Sequence, residues 1–189
     1  MQIRCGQTPI WMHEVDKNLL KGPGDPLGRA MAAHQMDATV TDVARELRAT
    51  GFADHPAMAP VMTSAAPTWT LRMWATVLGS GGYQTPHIHP MGWLSGVYYV
   101  SLPEDMGSSG PQAGWIEFGA PPERFRVASP PQARAIEPRP GRLVLFPSYF
   151  HHGILPFVSG ERRVSMAFDA VPSGRDSRRS YRSSPDRSL

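Results

Sequence analysis

The stretch "PHIHPMGWLSGVYYV", residues 86–100, decides how the chain reads. It sets His87 and His89 one residue apart, just ahead of a run rich in β-branched and aromatic residues. Side chains alternate between faces in an extended segment, so an i, i+2 pair presents both imidazoles to one side. The run that follows reads as a strand. Two imidazoles on one face are either a shared grip on a ligand or a surface coincidence, and the rest of the chain has to separate the two.

Working outward, similar short runs fill the chain from Thr68 onward. They are "WTLRMWATVL" (69–78), "WLSGVYYVSL" (93–102), "GWIEFG" (114–119), "GRLVLFP" (141–147) and "RRVSMAFDAV" (162–171), with Gly and Pro between them. Twenty prolines and eighteen glycines in 189 residues suit many turns and short strands rather than a helical bundle. The expectation is a mainly β protein, an antiparallel sandwich or barrel, with a small helical N-terminal part. Residues 1–67 form the helical and irregular N-terminal part of the same domain, 68–172 the β core, and 173–189 a disordered Ser/Arg-rich tail. Within the N-terminal part a short helix is expected around Pro26–Gln35. A better one spans Thr41–Thr50, with Val40, Val43, Ala44 and Leu47 as its apolar stripe and Gly51 as its stop. The segment "GFADHPAMAPVMTSAAP" (51–67) is a loop by composition.

The formal charge of +3 invites a nucleic-acid reading, but its location argues against one. The tail "GRDSRRSYRSSPDRSL" holds five arginines and two aspartates, and the rest of the chain balances fourteen positive against fourteen negative groups. The basicity belongs to a solvated end, not to a binding face. No run approaches the length of a membrane span, and "MQIRCGQTPIW" lacks the apolar stretch of a signal peptide. The single cysteine, Cys5, makes no internal disulfide, which points to a reducing cytoplasm.

Three features of the β region converge. His87-Ile88-His89 is the first. "FPSYFHHGILPF", with His151 and His152 after an apolar strand, is the second. Adjacent residues on a strand face opposite ways, so at most one of these two points inward. "ERRVSMAFD", which sets an arginine on a later strand, is the third. Two ligands from one turn and one from a distant strand build an open metal site in a jelly-roll core, and imidazole suits Fe, Zn, Cu and Ni.

The phrases "HIHPMGWLSGVYYV", "GRLVLFPSYFHHGILPF" and "ERRVSMAFD" together resemble a bacterial group of Fe(II)- and 2-oxoglutarate-dependent oxygenases, in the prolyl-hydroxylase-like double-stranded β-helix superfamily. The resemblance runs from about Trp69 to Pro172. It implies a double-stranded β-helix (jelly roll) core and an oxygenase that takes Fe(II), 2-oxoglutarate and O₂ and hydroxylates a substrate. It assigns the metal to His87, His89 and His152, the last chosen over His151 because proline follows four residues later. It places Arg163, eleven residues beyond His152, against the far carboxylate of 2-oxoglutarate, where a guanidinium fits well. Ser165 shares a strand face with Arg163, and Tyr99 matches a tyrosine that contacts the same carboxylate. Ser95 lies on the face of Tyr99, whereas Tyr98 faces the core.

Most of the superfamily carries Asp or Glu where this chain has His89, although the resembling group also has histidine there. Asp169 is the nearest carboxylate, and its place at a strand end suggests a capping or salt-bridge role. Trp74 and Trp93 are candidate walls of a substrate pocket, with Trp74 read as core. A cupin-type three-histidine protein that does not use 2-oxoglutarate is the alternative, and a non-enzymatic β-sandwich module the bland one. A cupin would show a glutamate shortly after His-x-His, where this chain has "PMGWLSG". The substrate, a small molecule or a protein side chain, and the oligomeric state, a homo-oligomer included, stay open in the sequence.

Overall fold

The computed structural model of the chain describes residues 2–5, 8–14, 26–49, 68–129 and 131–173. In chain order the elements are β1 (Gln2–Cys5), β2 (Thr8–Glu14), α1 (Pro26–Ala49), β3 (Trp69–Leu78), β4 (Gln84–His87), β5 (Leu94–Ser101), β6 (Ile116–Phe118), β7 (Arg134–Ile136), β8 (Arg142–Pro147), β9 (His152–Ile154) and β10 (Arg163–Pro172). A 3₁₀ turn, Met106–Ser109, follows β5. The strands make a six-stranded sheet in the order β1-β2-β8-β5-β10-β3 and a four-stranded sheet in the order β4-β9-β6-β7. Every pairing is antiparallel.

Alternation along the central strands sorts the side chains into two layers. On one face of the large sheet Leu143, Leu145, Tyr98, Phe168 and Ala170 pack with Met36, Val40, Val43, Ala44 and Leu47 of α1. On the other face Val144, Phe146, Val97 and Tyr99 meet Ile116, Phe118 and Ile136 of the small sheet. The first six residues of β5 are therefore buried, covered from both sides. Each buried Val, Leu or Met of the α1 stripe contributes about 1.5–3 kcal/mol, so docking, more than propensity, holds the helix. Gly96 is needed where it stands. A Cβ there would come within 2.3 Å of the Phe168 ring, its partner across the β5–β10 pairing.

The mainly β architecture matches the sequence reading, and β3, β5, β6, β8 and β10 fall on the five expected runs to within about two residues at their ends, whereas β4, β7 and β9 were not expected. The N-terminal part differs. α1 is one helix of 24 residues rather than two short ones, and its stripe begins at Met36. β1 and β2 add two strands to the large sheet, where the sequence suggested helix and irregular chain. β2 shows no clean alternation because Ile10 faces the small-sheet core while its neighbour Trp11 packs with α1, both buried. Trp93 is core, 2% exposed and 5.7 Å from Trp69 between ring centroids, so it walls no pocket. The expected loop at 51–67 and, apart from Ser173, the expected tail at 173–189 lie outside the described residues. Among the described residues no helix is long and apolar enough to cross a membrane.

Candidate metal centre

β4 and β9 pair at the mouth of the sandwich, and their register sets His87 directly across from His152. Gly153 lets the two strands approach, since a Cβ there would sit 2.6 Å from the Gln84 carbonyl. β4 ends at His87, so His89 is not part of the strand. It is placed instead by its backbone N–H, which donates to the Ser148 carbonyl at 2.8 Å. The three rings gather at centroid distances of 5.2, 4.4 and 4.9 Å, and each offers a ligand atom within 4.8 Å of the others. His151, next in the chain to His152, turns away and packs edge-on against Phe125 at 5.7 Å.

Each of the three histidines has Nδ1 against an oxygen. His87 Nδ1 is 2.8 Å from the Thr85 carbonyl, His152 Nδ1 3.0 Å from the Phe150 carbonyl, and His89 Nδ1 2.6 Å from Asp169 Oδ1. These oxygens only accept, so Nδ1 carries the proton in each ring and Nε2 is left with its lone pair. That is the tautomer a metal requires.

Burial pushes the His152 pKa down to about 3, with the Phe150 carbonyl opposing and the neighbouring histidines reinforcing. The metal-free protein then has a histidine that protonates more readily unfolded than folded. Its stability should fall as the pH drops below about 6.5, by up to about 1.4 kcal/mol per pH unit from this residue. Thermal melts of metal-free protein between pH 7.5 and 5 test this, and a flat midpoint would contradict it.

Arg163 and Ser165 stand two apart on the inner face of β10, both buried. Arg163 Nε donates to the Gly114 carbonyl at 3.2 Å and Nη1 to Ser165 Oγ at 3.1 Å, and the guanidinium carbon lies 5.1 Å over the Tyr99 ring. Arg163 Nη2 and Tyr99 Oη find no partner at full hydrogen-bond geometry, but the two side chains stand close enough to interact with each other. No described carboxylate pairs with this cation. Burial lowers the Arg163 pKa against the pull of Tyr99, and burial pushes Tyr99 up to about 12, so Tyr99 keeps its proton. Tyr98 packs on the α1 side, as its alternation predicts.

A cleft open to solvent joins these groups, lined by the three histidines, Arg163, Ser165, Trp74 and apolar residues including Val97, Ile116, Phe146 and Ile154. Two sequence expectations change here. Trp74, read as core, is 39% exposed at the cleft with its ring 5.5 Å from His89. Asp169 sits inside β10, not at its end, and the polar cluster it makes with Ser95 and Ser148 went unseen. The alternation that puts Arg163 and Ser165 inward also puts Asp169 inward, so the signal was present in the strand.

A family model described as "Putative 2OG-Fe(II) oxygenase" matches residues 72–169, more than half of the chain. Among curated proteins none matches. Among solved structures the chain is similar to a prolyl-4-hydroxylase of Pseudomonas putida, at TM-score 0.57 and 14% identity over 91% of this chain and 90% of that one. It is also similar to the non-heme alpha-ketoglutarate-dependent epimerase SnoN of nogalamycin biosynthesis, at TM-score 0.51 and 12% identity over 90% of this chain and 65% of that one. At such identities the two structures speak for the fold, a jelly roll. The family match speaks for the rest: the chain belongs to the 2OG-Fe(II) oxygenases, oxidoreductases that work with iron, 2-oxoglutarate and O₂.

Proposed function

We propose that His87, His89 and His152 hold Fe(II) through Nε2, and that Arg163, Ser165 and Tyr99 receive the far carboxylate of 2-oxoglutarate, so that the protein hydroxylates a C–H bond of its substrate. The observation that carries this reading is the buried guanidinium. Arg163 is fully buried with a spare N–H and no carboxylate beside it, and it lines the cleft that the three histidines line. A buried charge without a partner costs several kcal/mol, a cost that a bound dianion at the same place offsets. The Tyr99 hydroxyl next to the guanidinium adds a second donor for that anion. The donor set suits the metal as well, being three neutral imidazoles with free Nε2 atoms.

Bound there, iron and 2-oxoglutarate supply the activation of O₂, with the keto acid converted to succinate and CO₂ as the substrate is hydroxylated. The chain's own residues do the rest. Arg163 Nη2–H and the Tyr99 hydroxyl donate to the carboxylate. Ser165 Oγ accepts from Arg163 and has its own proton to give the same group. Val97, Ile116, Phe146 and Ile154 keep water away from the reacting atoms. Trp74 stands half-open at the cleft beside His89 and offers a flat apolar surface to an incoming substrate. Cys5 is a buried free thiol whose Sγ donates to the Gln132 carbonyl, which suits a cytoplasmic protein.

An anaerobic titration of the metal-free chain with Fe(II) and then 2-oxoglutarate tests the reading without knowledge of the substrate. A metal-to-ligand charge-transfer band should rise with 2-oxoglutarate and saturate at one equivalent. Iron uptake with no such band would replace this reading with the cupin-type one.

A further inference from the structure

The three histidines are alike in tautomer but not in partner. His87 and His152 give Nδ1–H to neutral backbone carbonyls, whereas His89 gives its own to a carboxylate. That carboxylate is part of a small polar cluster built from β5, β10 and the turn after β8. Ser95 Oγ donates to Asp169 Oδ1 at 2.7 Å, which uses its one proton. The 2.7 Å contact between Ser95 Oγ and Ser148 Oγ must then have Ser148 as donor. Donors thus run from Ser148 to Ser95 to Asp169, and His89 joins from the other side. Ser95 Oγ also lies 3.1 Å from His89 Nδ1. The cluster tolerates nothing larger than glycine beside it, since a Cβ on Gly92 would sit 2.6 Å from Ser148 Oγ and 3.3 Å from Asp169 Cβ.

Charge explains why a carboxylate belongs there. Among the described residues no carboxylate lines the cleft. Three neutral imidazoles leave a divalent metal uncompensated, and Arg163 adds another positive charge. The two carboxylates of 2-oxoglutarate leave one positive charge over. Asp169 is the negative group in reach, and at 12% side-chain exposure, against 15% for His89, its field is only weakly screened by water.

We propose that Asp169 is the positioning carboxylate of this centre, fixing the His89 ring and lending the metal through it the negative charge that its histidine ligands lack. This rests on the metal site proposed above. Asp169 touches the far nitrogen of the ring, so it acts one imidazole away from the ion and is not itself a ligand.

Co(II) titration of the metal-free full chain, followed by visible absorption, tests this without any turnover. Asp169→Asn keeps an oxygen that can accept from Nδ1–H but removes the charge. It should melt within a few degrees of the wild type when metal-free and bind Co(II) about 10–100-fold more weakly. His89→Asp should set two carboxylates against each other and bind Co(II) poorly, whereas His89→Asp/Asp169→Asn should bind at least tenfold better than His89→Asp alone. A wild-type Co(II) affinity in Asp169→Asn, or a double variant no better than His89→Asp, would overturn the proposal. A His87→Ala chain that still binds Co(II) like the wild type would instead remove the metal site on which the proposal stands.

Discussion

Replacing His152 by alanine should leave the protein unable to retain iron. His152 is 5% exposed at the floor of the cleft, facing His87 across the β4–β9 pairing. Its ring is held between the Phe150 carbonyl and the Phe146 ring, 4.5 Å away between centroids. With one of three donors gone, the two remaining imidazoles lose the chelate, and the loss should exceed the 10–100-fold typical of changes one shell out. The substitution also leaves a void against Phe118 and Phe146. Some stability will therefore go with it, and the melting point must be measured alongside the metal. His151→Ala is the internal control. It removes an equally sized ring from the adjacent position but from the side that packs on Phe125. Iron per chain after anaerobic reconstitution and desalting should fall to background for His152→Ala and stay at the wild-type level for His151→Ala. Equal retention in both would mean that the gathered rings do not bind iron.

Arg163→Met should separate cofactor binding from metal binding. Losing the guanidinium removes a buried cation without a counter-ion, which favours the folded state, and strands the Gly114 carbonyl and Ser165 Oγ, which opposes it. These effects are of similar size, so the metal-free protein should melt close to the wild type. Affinity for 2-oxoglutarate should drop by about 2–5 kcal/mol, the range for truncating one partner of a buried charge pair. Iron content should not change, because Arg163 is not among the clustered donor groups. Calorimetry of 2-oxoglutarate binding to the Mn(II)-loaded variant reads the effect directly. Wild-type affinity there would move the carboxylate site elsewhere in the cleft.

What could be read in the sequence follows what local pattern can encode. β3, β5, β8 and β10 are long enough to show composition and punctuation, and they were legible. β4 carries Pro86, which ordinarily argues against a strand, while β7 and β9 are three residues each; none has room for a pattern. The helix was read in two pieces because the stretch between them carries no clear stripe, yet Met36 buries against the same sheet as Leu47 and makes the docking continuous. The histidines were legible because two of them, His87 and His89, stand two positions apart in the chain. Asp169, expected at a strand end in a capping or salt-bridge role, does pair with a charged-type partner, but the partner was not legible. It meets His89 across 80 residues, and nothing in its neighbourhood announces that contact.

The strand that carries Arg163, Ser165 and Asp169 lies inside the large sheet, between β5 and β3. It pairs Pro172 with Trp69 and Arg163 with Leu78, among the longest loops the described chain has to close. Such pairings are slow to form, because the entropy of closure is lost before the contacts return it. Iron loading at the proposed site would therefore be coupled in time to folding. A growing chain presents His87 and His89 well before β10 has emerged, with His152 following only eleven residues ahead of Arg163, and until β10 inserts, the histidines have neither Asp169 nor Arg163 beside them. A centre of the kind proposed, completed by its latest-arriving strand, would be silent in a half-made protein.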